Sequence, residues 1–303
     1  MNQIDINDHN DEIDLIDVLK ILWLKKLVVI FITSLFLLGS ILYALSIQDI
    51  YTSNAKLYPA SNTKNKQNIS SQLSGIAGLA GISMSDDNSF KSIEGIEFAK
   101  SFKFFKELSS TIDLLPDLMA AKSWDPERNI IIYDDALYNI KNNEWVIPRP
   151  SELQAYRVFS SIFSINQDAK TSLITMEIDH ISPYVAKAWL DEVILLLNNN
   201  ARNVDKNSAQ KALDFLTLQF TKNNISEIKE QLASSMQQQI QTLVLIEAEK
   251  EYLFKILEPP YVPDLKTKPN RSYIVLILSV IGMLVSFFIS LTMHYLQNKS
   301  IKI

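Results

Sequence analysis

Cysteine is absent from all 303 residues, so the chain can form neither a disulfide nor a thiolate metal site. Histidine is scarce as well: His9, His180 and His294 stand far apart, no His-Glu-x-x-His occurs, and no Walker-type phosphate loop is written anywhere. Of the six glycines, Gly75, Gly78 and Gly81 fall in residues 74–83, without the G-x-G-x-x-G spacing or a terminal Lys-Ser or Lys-Thr. That stretch is expected to offer a small-residue surface for close packing, not a phosphate cradle. A net charge of −5 leaves no basic surface of the kind nucleic acid requires. No cofactor, no metal and no nucleic-acid partner is expected.

What the chain does have is two long apolar runs, residues 27–47 and 273–296, in which no Asp, Glu, Lys or Arg occurs and His294 is the only histidine. A helix needs roughly 20 apolar residues to cross about 30 Å of hydrocarbon, so each run suffices for one span. A core helix of a soluble domain can be equally apolar, but two such runs towards opposite ends of one chain fit that reading poorly. Ala44-Leu45-Ser46 imitates a signal-peptide cleavage site, yet the apolar run is too long and residues 1–26 are too many and too acidic for a signal peptide. Lys20, Lys25 and Lys26 before the first run, against Gln48 and Asp49 after it, place the amino terminus in the cytoplasm. Around the second run Lys266, Lys268 and Arg271 oppose Lys299 and Lys302, an ambiguous signal on its own. Two spans return the carboxyl terminus to the cytoplasm and leave residues 48–272 outside it. Residues 1–26 and 297–303 are expected to be too short to hold a folded enzyme domain.

The expected fold class is an α+β membrane protein: two transmembrane helices flanking a periplasmic domain with an α/β base and a long extended helix. The base takes residues 48–183 and a returning strand, 252–258. In residues 51–58, Tyr51, Ala55 and Leu57 alternate with Thr52, Asn54 and Lys56, a strand pattern; residues 61–74 are polar and read as a loop. Over residues 93–108, Phe98, Phe102, Phe105 and Leu108 recur at helical spacing, a stripe suited to a core. Trp124-Asp125-Pro126 marks a turn. Pro148-Arg149-Pro150 turns the chain again, with Ser151 placed to cap a helix carrying Leu153, Tyr156, Phe159 and Phe163. In residues 171–179 Ile174, Met176 and Ile178 face one side and Thr175, Glu177 and Asp179 the other, so one face of that sheet must be covered.

Ser182-Pro183 then writes a helix start, and residues 184–258 contain neither proline nor glycine. Within the helical region, 184–250, Leu213, Leu216, Phe220, Ile225, Ile228, Leu232, Met236, Ile240 and Leu243 follow one another in steps of three to five, mostly at helical spacing. A single helix over residues 184–231 would reach about 70 Å. Its stripe is sparse and its other face polar, so it is expected to pack on a returning helix or on neighbouring subunits. The alternative is a break at Asn198-Asn199-Asn200 or at Asn223-Asn224, giving a compact bundle.

Residues 259–271 form a proline-rich approach to the second run, in which Pro260, Pro263 and Pro269 restrict the backbone where glycine and serine would loosen it. This linker is expected to hold the domain at a set angle to the bilayer. Within the second run Gly282, Ser286 and Ser290 lie four apart on one helix face, where small side chains allow close approach; Ser40 and Ala44 in the first run are the candidate counterparts.

These features resemble the Wzz-type polysaccharide co-polymerases, the chain-length determinants of bacterial surface polysaccharides. The resemblance rests on Pro260-x-x-Pro263, Lys268-Pro269-Asn270-Arg271 and Gly282-Met283 in that order, on Glu12-Ile13-Asp14-Leu15 with Val18-Leu19 before the first run, and on the returning strand. Lys268 and Asn270 depart from the family pattern, and Gly282 alone remains of its several span glycines. The resemblance implies an inner-membrane protein that forms a ring-like homo-oligomer and sets how many repeat units a separate membrane polymerase adds to a lipid-linked glycan, without chemistry of its own. Co-polymerases for capsule often carry a tyrosine kinase after the second span, for which residues 297–303 leave no room.

Carboxylate pairs such as Asp134 with Asp135, or Glu247 with Glu249, could be drawn as a glycosidase dyad, but nothing in the sequence marks a cleft that would raise one of them. Trp124, Trp145 and Trp189 are expected in the core before any role on sugar rings. Three functional readings follow: regulation of O-antigen chain length, an adaptor bridging the inner membrane to an outer-membrane channel for capsule or exopolysaccharide export, and a periplasmic sensor whose tails are too short to signal.

Overall fold

The computed structural model describes residues 23–60 and 87–300, without the side chains of 87–90, 294, 295 and 297–300. The motif at residues 12–19, Lys20, the polar tract 61–74, the glycine stretch 74–83 and Lys302 lie outside the described residues. The chain divides into two compact units, Ile50–Lys266 and the pair Met1–Asp49 with Thr267–Ile303.

The larger unit is built on a four-stranded antiparallel sheet. Strand β1 (Tyr51–Pro59) lies between β7 (Ile174–His180) and β8 (Phe254–Glu258), with β6 (Phe163–Gln167) beyond β7. The register pairs Tyr51 with His180 and Leu57 with Ile174, and on the other edge Pro59 with Phe254. Period-two burial follows from the alternation: Ser53, Ala55 and Leu57 on β1, and Ile174, Met176, Ile178 and His180 on β7, point into one core.

Helices cover that face. After α2 (Asp87–Ala99), α3 (Phe102–Thr111) and the short α4 (Leu115–Met119) come two hairpins, β2 (Ala121–Asp125) with β3 (Ile130–Tyr133) and β4 (Tyr138–Asn139) with β5 (Glu144–Trp145), then α5 (Glu152–Ile162). The apolar stripe over residues 93–108 is two helices, not one. Ser101 starts the second by accepting from the Phe104 N–H at 3.1 Å, and this re-aims the face so that Phe104, Phe105 and Leu108 are fully buried while Phe102 turns outward. Ser151 caps α5 in a capping box with Gln154. Ala155 and Phe159 carry its buried face; Leu153 is exposed, and Phe163 already belongs to β6.

The long helix α6 (Pro183–Lys222) begins at the Ser182 cap and runs 40 residues, about 60 Å. It stops short of residue 231. At Asn223 the backbone turns extended, with the Asn223 N–H and Nδ2 both on the Gln219 carbonyl, and α7 (Ser226–Ala248) folds back along α6. The Lys206–Glu247 ion pair and the Arg202 bond to the Glu249 carbonyl mark the closing end of this hairpin. Leu213, Leu216, Phe220, Leu232, Met236 and Leu243 are half-buried, whereas Ile225, Ile228 and Ile240 are exposed. The helix does not break at Asn198-Asn199-Asn200. There the first half of α6 lies on the sheet, and Leu190, Val193, Ile194 and Leu197 enter the core with Trp189.

The smaller unit is an antiparallel pair, α1 (Lys26–Ser46) and α8 (Arg271–Ser300), each long and apolar enough to cross a membrane.

Candidate functional site: the small-residue helix pair and the proline approach

In the helix pair the buried positions are the small ones: Ser40 and Ala44 on α1, Gly282, Ser286 and Ser290 on α8. Most of the surrounding Leu, Ile and Phe side chains point outward, as expected of helices whose solvent is lipid. At Gly282 the backbones approach so closely that a Cβ there would stand 2.4 Å from the Phe36 Cβ. One helical turn on, Thr33 Oγ1 lies 3.4 Å from Ser286 Oγ. Ser286 and Ser40 satisfy their hydroxyls on carbonyls of their own helices, Met283 and Leu37.

Arg271, read from the sequence as a positive charge beside the span and as part of the Lys268-Pro269-Asn270-Arg271 motif, has a structural role within this unit. Its Nε donates to the Ala44 carbonyl at 3.1 Å and its Nη2 to the Asp49 carboxylate at 2.8 Å and the Ile47 carbonyl at 3.4 Å. The guanidinium thereby serves carbonyls that the end of α1 leaves without helical partners, where a cation is also favoured by the helix dipole.

In the domain, Pro260 and Pro263 are buried, and between them the Tyr261 carbonyl accepts from the fully buried Ser53 hydroxyl at 2.8 Å. The linker is thus fastened to the middle of β1. Pro269, in the helix-pair unit, is half-buried, and the bond before it is cis.

Elsewhere the polar groups are engaged structurally. Buried His180 accepts from the Ser182 N–H at Nδ1 and contacts the Asp117 carbonyl at Nε2, 3.2 Å away, with Trp189 tilted across its ring. Burial holds its pKa below the ordinary value, and both nitrogens are occupied by backbone. Burial pushes the Asp117 carboxyl up, opposed by the hydrogen bond from the Tyr133 phenol. Glu247 shifts the other way, lowered by its bond to Lys206, which is the wrong direction for a general acid. Asp134 accepts from the Ala136 N–H, a turn contact. Among the described residues no group of three or more His, Cys, Asp or Glu is placed to hold a metal ion. Trp189 is buried, and Trp124 and Trp145 are half-buried against Tyr51 and Tyr138.

The segment that carries the first apolar helix and the first strand of the sheet also carries a family signature. Residues 11–112 match the family model described as chain length determinant protein, Wzz. The chain resembles the Wzz-type chain-length determinants, and the match falls on its amino-terminal part, leaving the proline approach and Gly282 outside it. No curated protein matches the sequence. A full-length bacterial polysaccharide co-polymerase aligns at 15% identity and a TM-score of 0.42, covering 94% of this chain and 99% of its own. A fragment of WzzB, a polysaccharide co-polymerase from Salmonella Typhimurium, aligns at 13% identity and 0.30, covering 73% of this chain and 100% of the fragment.

Proposed function

We propose that this chain is a non-enzymatic regulator of surface polysaccharide chain length, acting on lipopolysaccharide O-antigen together with a separate membrane polymerase. The observation that carries the reading is the chain length determinant match over residues 11–112. Two helices able to cross a membrane support an inner-membrane location, and Lys20, Lys25 and Lys26 before the first apolar run support cytoplasmic termini with residues 48–272 periplasmic. Exposed Val204, Phe215, Leu218 and Val244 along the α6–α7 hairpin support self-association into a ring-like homo-oligomer, since apolar side chains in helical register gain by being covered. In this reading the oligomer sets how long polymerase and growing lipid-linked glycan stay together, and the proline approach with the small-residue helix face couples the domain to its membrane partners.

Deleting the gene and resolving the surface glycan on a gel tests the proposal. Loss of a modal band, leaving unregulated short chains, is the expected result. Complete loss of surface polymer would sink it in favour of an export adaptor for capsule or exopolysaccharide. Crosslinking of the solubilised protein tests the ring, which a strict monomer would remove.

A further inference from the structure

The domain holds a half-open cavity of about 220 Å³ bounded by α2, the middle of α6 and the Tyr252–Leu253 backbone leading into β8. One side is apolar, made by Phe98, Leu197, Val204 and Leu253. Gly95 lets α2 close this wall, because a Cβ there would stand 2.6 Å from Leu253 Cδ2. The other side is polar and partly spoken for. Lys91 Nζ and the Tyr252 hydroxyl both bind Asp205 Oδ2, each at 2.6 Å, and Asn200 Nδ2 donates to Glu107 Oε2 at 2.9 Å. That leaves Asp205 Oδ1 and Asn200 Oδ1 without a donor among the described residues. Lys103 stands at the same cavity with its Nζ 5.7 Å from the Phe98 ring centre and no carboxylate partner among the described residues.

The chemistry of the lining narrows the ligand. A wholly apolar guest would strip two carboxylates, Asp205 and Glu94, an amide and two ammonium groups of water with nothing in exchange. A compact anion would have to compete with Asp205 for Lys91, and so would the phosphate of a nucleotide. A polyhydroxylated ring has what the walls lack: hydroxyl donors for the two open oxygens, acceptors for the ammonium groups, and a C–H face for Phe98. We propose that this cavity is a binding site for a single sugar residue of a glycan, held between Phe98 and the Asp205–Asn200 oxygens with Lys103 at its rim. The proposal rests on the polysaccharide reading above and gives that reading a contact point on the domain.

The test is saturation-transfer NMR on the full chain in nanodiscs, with glucose, galactose, N-acetylglucosamine and glucuronate as probes. At least one is expected to receive magnetisation, and Asp205→Asn and Lys103→Ala are each expected to weaken its binding about fivefold, the effect of one lost hydrogen bond. Lys103 is largely exposed and outside the core, so its variant reports on the site even where Asp205→Asn is unstable. Absence of transfer to all four sugars, or unchanged binding in Lys103→Ala and in every folded Asp205→Asn preparation, overturns the proposal. Its failure alongside a normal modal glycan band removes the site and leaves the chain-length reading standing; sugar binding in a protein whose deletion leaves the glycan unchanged does the reverse.

Discussion

The side-chain amide of Asn198 brackets the backbone of Phe254. Its Oδ1 accepts from the Phe254 N–H at 3.0 Å and from the Leu253 N–H at 2.8 Å, while Nδ2 donates to the Phe254 carbonyl at 3.3 Å. All three residues are buried, so a side chain in the middle of α6 meets the backbone needs of the chain as it enters β8.

Asn198→Ala should therefore be among the most damaging single changes in the domain. It leaves two buried N–H groups unmet, at about 1–3 kcal/mol each, and an expected net loss of ~3 kcal/mol. Denaturant titration of the solubilised protein measures it, with Asn199→Ala, a half-buried neighbour on the same helix, as the control. Equal stability of the two variants would contradict the bracket.

Within the helix pair, Thr33 and Ser286 face each other closely enough for a chemical test, and the absence of native cysteine makes it clean. Thr33→Cys with Ser286→Cys is expected to form an intrachain disulfide on mild oxidation, seen as a mobility shift that reductant reverses. Adding Gly282→Val should sharply reduce the yield, because its side chain would occupy the space of Phe36. A yield indifferent to Gly282→Val would mean that close approach is not what holds the pair.

The proline approach is expected to matter for output more than for folding. Pro260→Ala with Pro263→Ala frees two backbone positions beside the Ser53–Tyr261 fastening without removing a hydrogen bond. The expected result is an altered modal length of the surface glycan at unchanged protein abundance, read on a glycan gel beside an immunoblot. An unchanged length distribution would count against a coupling role.

Acid should loosen the domain through His180. Its folded pKa is lowered by burial, so the unfolded chain binds the proton more readily. The neutral ring's contribution is complete above its ordinary value of 6.5 and is lost as pH falls from there through the folded value. The proton would arrive at Nδ1, where the Ser182 N–H already points, and Ser182 caps α6. Asp117 is the charged group facing the ring; its raised pKa has the opposite sign, relieving a buried carboxylate as pH falls from above its ordinary 3.8. The midpoint of thermal unfolding should drop between about pH 7 and about pH 5.5, and His180→Gln should flatten that slope. Identical slopes would place the titration elsewhere.

Local rules reached much of this molecule. Residues 273–296 fall within α8, and all of 27–47 but its last residue, the extended C-cap Ile47, falls within α1, because length and apolarity alone decide which segments can satisfy their backbone in lipid. Alternation on β7 and the caps at Ser151 and Ser182 were equally legible, each resting on neighbours a few residues away. The break between α2 and α3 was hidden because Phe98, Phe102, Phe105 and Leu108 keep helical spacing straight across it, and only the cap at Ser101 signals the change of axis. Cavity residues Phe98, Asp205 and Tyr252 come from three distant stretches, and nothing in the spacing of any one of them announces a site.

The sequence by itself determined that two apolar helices flank a mixed domain with a long proline-free and glycine-free helical stretch, since those properties belong to composition and period. Only the tertiary structure decided where that stretch turns and what its asparagines do. Asn198 and Asn223 offer the same carboxamide to the chain. One finds a strand end within reach and is buried as a clamp, while the other lies at the far end of α6 and turns back on its own helix at Gln219. The difference lies in the partners that packing brings to each side chain, which residue type and local pattern do not encode.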